Sequence, residues 1–135
     1  MKKLLFLLVS VLTFLSLCFT SCEKSSADIL KGTWKYVPGV SSTMTEQPEM
    51  SYIFDGKGNY TFISKYYGEE KVSKGTYVIE KETIVRTYYT KQEIDGSKEY
   101  SEVLELDANS TPPTLTGYAY DSYGNLLMIL LFEKK

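Results

Sequence analysis

Histidine is missing altogether from this 135-residue chain, and tryptophan, arginine and cysteine are scarce: Trp34, Arg86, and Cys18 with Cys22. The lack of histidine removes the commonest general base and metal ligand. Two cysteines four positions apart, without histidine or further cysteine, cannot complete a zinc site. The formal charge of −2 gives nucleic acid no basic face to meet. Serines are plentiful, and "ETIVR" and "EVLELD" carry carboxylates on alternating positions, but nothing singles out a catalytic pair. We therefore expect no enzyme activity and no cofactor. The length allows one domain, with no internal repeat or low-complexity tract to suggest a second.

What is present begins at the N-terminus. Lys2 and Lys3 precede "LLFLLVSVLTFLSLCF", an uncharged run from Leu4 to Phe19. As a helix it would reach about 24 Å, short of the roughly 30 Å hydrocarbon core, and its basic start fits a secretory leader better than a membrane span. "FTSC", Phe19 to Cys22, resembles the lipobox of bacterial lipoproteins: a bulky apolar residue, two small ones, then cysteine. That resemblance implies removal of residues 1–21 and acylation of Cys22 by fatty chains such as palmitate. It also implies a secreted, membrane-anchored protein, of the outer membrane and facing either the periplasm or the surface. A Cys18–Cys22 disulfide would staple only the leader. Loss of Lys2 and Lys3 takes the formal charge from −2 to −4, which disfavours docking on anionic headgroups. Residues 22–27 form a tether whose five steps extend at most about 18 Å, so the domain, residues 28–135, stays near its bilayer.

"SSADILK" suits a short helix, with Ser25 as cap, Asp28 three residues on, and Gly32 to end it. From there β-branched and aromatic residues, 12 tyrosines among them, alternate with turn residues at short intervals. The pattern predicts eight strands: Thr33–Val37, Ser51–Asp55, Asn59–Tyr66, Lys71–Ile79, Thr83–Lys91, Lys98–Asp107, Thr114–Tyr120 and Leu126–Glu133. "DGKGN", "YGEE", "EKE", "DGS" and "DSYGN" are hairpin-length turns, and "NSTPP" breaks a ladder because proline cannot donate. Sequential hairpins make an antiparallel meander. Closure into an all-β, eight-stranded up-and-down barrel removes its edges. A two-sheet sandwich, the rival, needs more long connections than the single one here, Pro38 to Met50.

"LKGTWKY", with Gly32 and Trp34, matches the G-x-W signature on the first strand of lipocalins. Together with "YIFDGKGNYTF", "GTYVIEKETIVRTYY" and "YDSYGNLLMILLFEK", the chain resembles the lipocalin-like domain of small bacterial lipoproteins over nearly all its mature length. The late arginine that lipocalins stack on the tryptophan is absent. The resemblance implies the barrel and a small apolar ligand, with no assigned chemistry.

Candidate ligand contacts follow from strand alternation. If Ile79 faces Ile84 across the "EKE" turn, then Tyr77, Ile79, Ile84, Arg86 and Tyr88 share one face, and the isoleucines make it the inner one. Arg86 inside a barrel must meet an anion or stay wet. One reading is a carboxylate clamp, Arg86 bidentate with Tyr88 adding its hydroxyl; "RTY" is similar to the Arg-x-Tyr grip of fatty-acid-binding barrels, though on a different strand. The other places Arg86 near a rim, paired with an acid, or turned outward by a bulge. Trp34, Tyr36, Tyr52, Phe54, Tyr60 and Phe62 are further inner aromatics, which either line a cavity or fill it. The Pro38–Met50 loop is a lid or a plain insertion. "NLLMILLFEKK" is apolar on both sides, so its outer side needs a cover: the short helix, a partner protein, or a second copy. The expected function is non-enzymatic binding of a small apolar or amphipathic ligand at the envelope. The alternative is an interaction or structural module with a filled barrel.

Overall fold

The short-interval alternation of apolar residues and turns resolves into one continuous meander. In a computed structural model that describes residues 24–39 and 47–135, a single helical turn, α1 (Ser26–Leu30), precedes eight strands. They are β1 (Gly32–Val37), β2 (Glu49–Phe54), β3 (Asn59–Tyr66), β4 (Glu69–Glu80), β5 (Ile84–Glu93), β6 (Gly96–Asp107), β7 (Thr114–Tyr120) and β8 (Leu126–Lys134). Each pairs antiparallel with the next, and β1 pairs with β8, from Trp34–Lys134 to Val37–Leu131, to close the barrel. The sequence expectation of an antiparallel eight-stranded barrel holds. Residues 1–23, with the expected leader and Cys22, and residues 40–46 of the long loop lie outside the described residues, so the anchor and lid expectations do too.

The barrel has two unlike ends. α1, the β2–β3 turn, the β4–β5 connection, the β6–β7 loop and the C-terminus gather at one, the floor. Ser25 caps α1 as expected: its Oγ accepts from the Asp28 amide at 3.3 Å and donates to Asp28 Oδ2 at 2.7 Å. Gly32, at φ 127°, turns the chain into β1 where a side chain would be strained. The helix then seals the floor. Leu30 is fully buried against a core that includes Trp34, Phe54, Val85, Leu115 and Phe132. Trp34 Nε1 donates to the Leu30 carbonyl at 2.8 Å, and Lys134 Nζ donates to the Ile29 carbonyl, so two carbonyls left without helical partners are satisfied. Lys134 Nζ also stands 5.8 Å from the centre of the Trp34 ring, a cation–π contact.

Two expectations fail. α1 lies at the floor and does not cover β8, whose outward Leu127 and Ile129 remain 65% and 58% exposed. The β4–β5 register also differs. Ile79 faces Val85 and Glu80 faces Ile84, leaving a three-residue connection in which Lys81 and Glu82 both take positive φ. An odd loop shifts the pairing by one residue and turns every β5 side chain over. Val85 and Thr87 are consequently buried, while Arg86 lies between the exposed Val78 and Val103 on the outer face.

Candidate functional site

The opposite end, the mouth, is open. It is bounded by the Tyr67–Gly68, Ile94–Asp95 and Asp121–Asn125 turns and the described ends of the long loop. Below the rim, alternation sends Tyr52, Tyr60, Phe62, Ser73, Tyr89, Glu102, Leu130 and Phe132 into a cup of about 240 Å³. Tyr52 is its centre. Its ring packs on Phe62 (centroids 4.7 Å apart), edge-on to Phe132 (5.1 Å), and against Phe54 and Tyr60. Tyr52, Tyr60, Phe62 and Phe132 are the cup's lower wall, and Trp34 and Phe54 lie in the packed core beneath.

The cup's wall is notched. β5 and β6 pair along their whole length to the Ile94–Asp95 tip, but β6 meets β7 only from Leu104–Gly117 to Asp107–Thr114. β7 instead continues with β8, past a bulge at Ala119–Tyr120. The two hairpins part, and a second lobe of about 390 Å³ opens between them, lined by Gly117, Ala119, Tyr120 and Leu130 among others. Both lobes share Tyr52, Glu102, Leu130 and Phe132.

Among the described residues, Glu102 is the only charged side chain lining either lobe. Tyr52 donates its hydroxyl to Glu102 Oε2 at 3.3 Å. Burial first, and then the Glu102 charge, drive the Tyr52 hydroxyl far above the ordinary tyrosine range, so it stays a neutral donor. The same two causes push Tyr60 up to about 12 and raise Tyr89. Among the described residues no lysine or arginine forms an ion pair with Glu102.

The sequence candidates divide cleanly. Tyr52, Tyr60 and Phe62 line the cup. Trp34, Phe54 and Tyr77 are buried in the floor half, and Tyr36 packs on Phe132 at 5.9 Å. Arg86 and Tyr88 are outside: Arg86 Nε and Nη2 reach Glu80 Oε1 and Oε2 at 2.8 and 3.2 Å, and the Arg86 side chain is 32% exposed. This pairing holds the Glu80 carboxyl below its ordinary value. No interior carboxylate clamp forms at Arg86. Sequence reasoning missed Glu102, Tyr89, Ser73 and Leu130. For Glu102 the signal was available, because Leu104 and Leu106 are buried and share its parity; the solvated-face default hid it. Tyr89 was lost with the β5 register.

Comparison of the chain with protein-family models, with curated proteins and with solved structures finds no match. The fold itself defines a class, an antiparallel eight-stranded barrel with a closed floor and an open, notched mouth.

Proposed function

We propose that this is a lipid-anchored envelope protein whose lipocalin-like barrel binds a small apolar or amphipathic molecule, without chemistry on it. The observation that carries this reading is the aromatic cup above a packed floor. A barrel serving only as a structural body would be filled along its length. Here the floor half is filled and the mouth half holds a cup of about 240 Å³, just under the usual size of small-molecule sites, lined by rings with hydroxyls and one carboxylate among them. Lys134 on Trp34 supports the lipocalin-like assignment, since it supplies a late cation over the signature tryptophan. The "FTSC" motif supports acylation of Cys22.

The test has two arms. Cells fed labelled palmitate should mark the protein, and Cys22→Ala should lose the label. Protein purified from those cells should co-elute a small molecule detectable by mass spectrometry, which Tyr52→Ala should release; an empty cup in every preparation would count against binding. A second reading, an interaction module with a partner or a second copy on β8, is favoured by the exposed outer side of that strand. Photo-cross-linking in whole cells from a diazirine-bearing residue placed at Leu127 or Ile129 distinguishes it, because a module of this kind is captured from those positions whether or not the cup is occupied.

A further inference from the structure

We infer that the occupant of the mouth is a small apolar cation, an alkyl or aryl amine in its protonated form, with Glu102 as its charge partner. This rests on the binding reading above and names the ligand class. Both lobes converge on Glu102, and among the described residues neither contains another charge. Glu102 is an exposed residue whose side chain borders a cup lined by tyrosine and phenylalanine rings, with the Tyr52 hydroxyl as its hydrogen-bond donor and no cation paired with it among the described residues. A carboxylate has about four lone-pair sites, so one hydroxyl leaves capacity for an ammonium group. The surrounding rings present faces that attract cations and repel anions. The chain already uses this contact at the rim, where Lys98 Nζ stands 5.4 Å from the centre of the Tyr100 ring, itself stacked on Tyr89 at 5.5 Å. A carboxylate ligand entering the cup would meet Glu102 as a like charge, with the hydroxyls of the lining tyrosines and Ser73 as the donors at that depth.

The competing possibility is an anion held higher, since Lys71, Lys91 and Lys98 occupy positions of inward parity at the exposed ends of β4, β5 and β6. The test compares octylammonium, octanol and octanoate, which share one tail and differ in head charge. Binding to the full chain in lipid nanodiscs is measured by calorimetry against empty discs, with the ring resonances of Tyr52 and Phe62 followed by NMR. Octylammonium should bind about tenfold more tightly than octanol, the worth of one charge-assisted contact at a mouth still open to water. Octanoate should bind most weakly. Glu102→Gln should bring octylammonium level with octanol and leave octanol unchanged; Arg86→Ala, outside the barrel, should change none of the three. Octanoate binding as tightly as octylammonium, or a Glu102→Gln variant that keeps the full preference, would overturn the cation assignment while leaving a ligand-binding cup. Failure of all three to shift the Tyr52 and Phe62 resonances would remove the cup's function itself.

Discussion

Asp55 and Asp121 each organise a hairpin turn by standing in for a backbone acceptor. Asp55 Oδ1 accepts from the amides of Lys57 and Asn59 at 2.6 and 3.0 Å, and its Oδ2 accepts from Asn59 Nδ2 at 2.7 Å. Asp121 repeats the pattern, with the amides of Tyr123 and Asn125 at 2.9 and 2.8 Å and Asn125 Nδ2 at 2.9 Å. In "DGKGN" and "DSYGN" the same D-x-x-x-N spacing thus yields the same local structure, once at the floor and once at the mouth. The bond from the asparagine side chain is the largest cause holding each carboxyl below its ordinary 3.8. A lowered folded value means stability that is present above the unfolded value and drains as pH falls through the folded one. Denaturant unfolding of the Asp55→Asn, Asp121→Asn double variant should therefore show a lower midpoint than the parent at pH 7. The gap should narrow below about pH 4, where unfolded aspartates bind protons. A gap unchanged between pH 7 and pH 3 would mean that these carboxylates do not titrate as turn acceptors.

At the level of elements, what the sequence disclosed depended on parity. Strand number, order and closure were legible because turns such as "DGKGN" and "DSYGN" announce themselves between runs of β-branched and aromatic residues. So were the inward Tyr52, Phe54, Tyr60 and Phe62, which alternate on β2 and β3 without interruption. The β4–β5 connection was not. "EKE" contains no glycine, yet Lys81 and Glu82 adopt positive φ to make a three-residue loop, and only that odd count decides whether Arg86 or Thr87 faces the core. β8 was ambiguous for a different reason, being apolar on both sides. Glycine placement is informative where strands crowd. At Gly75, opposite Tyr60 on β3, a Cβ would fall 2.0 Å from the Tyr88 carbonyl oxygen and 2.7 Å from the Tyr60 ring. Gly75→Ala should cost about 1–3 kcal/mol by overpacking and displace the Tyr60 ring into the cup. Equilibrium unfolding reads the first effect and the NMR shifts of Tyr60 the second. Leu30→Ala at the floor should cost about 2–5 kcal/mol, because a fully buried side chain is lost beneath the Trp34 contact.

For the whole molecule, the decisive relation is between the tether and the mouth. The chain enters at the floor through Lys24 and Ser25, directly into α1, while the cup opens at the other end of the strands. β5, Ile84 to Glu93, runs the full height. At about 3.3 Å per residue and a tilt near 40°, it separates floor from mouth by roughly 25 Å. If Cys22 is acylated as proposed, the short tether would draw the floor toward the bilayer, and the mouth would face away from it, into the aqueous compartment. A ligand would then be taken from solution or from a facing membrane, not from the anchoring leaflet directly beneath. A dye attached at an Ile94→Cys position, on the exposed tip of the β5–β6 hairpin, should escape short-range quenchers placed in the lipid headgroups of proteoliposomes. One at Asn109→Cys, in the β6–β7 loop at the floor, should be quenched strongly. Equal quenching at the two positions would mean that the barrel lies on its side. In that posture the exposed strip Leu127–Ile129 would rest on lipid, and the cup would be reached from the membrane surface through the notch between β6 and β7.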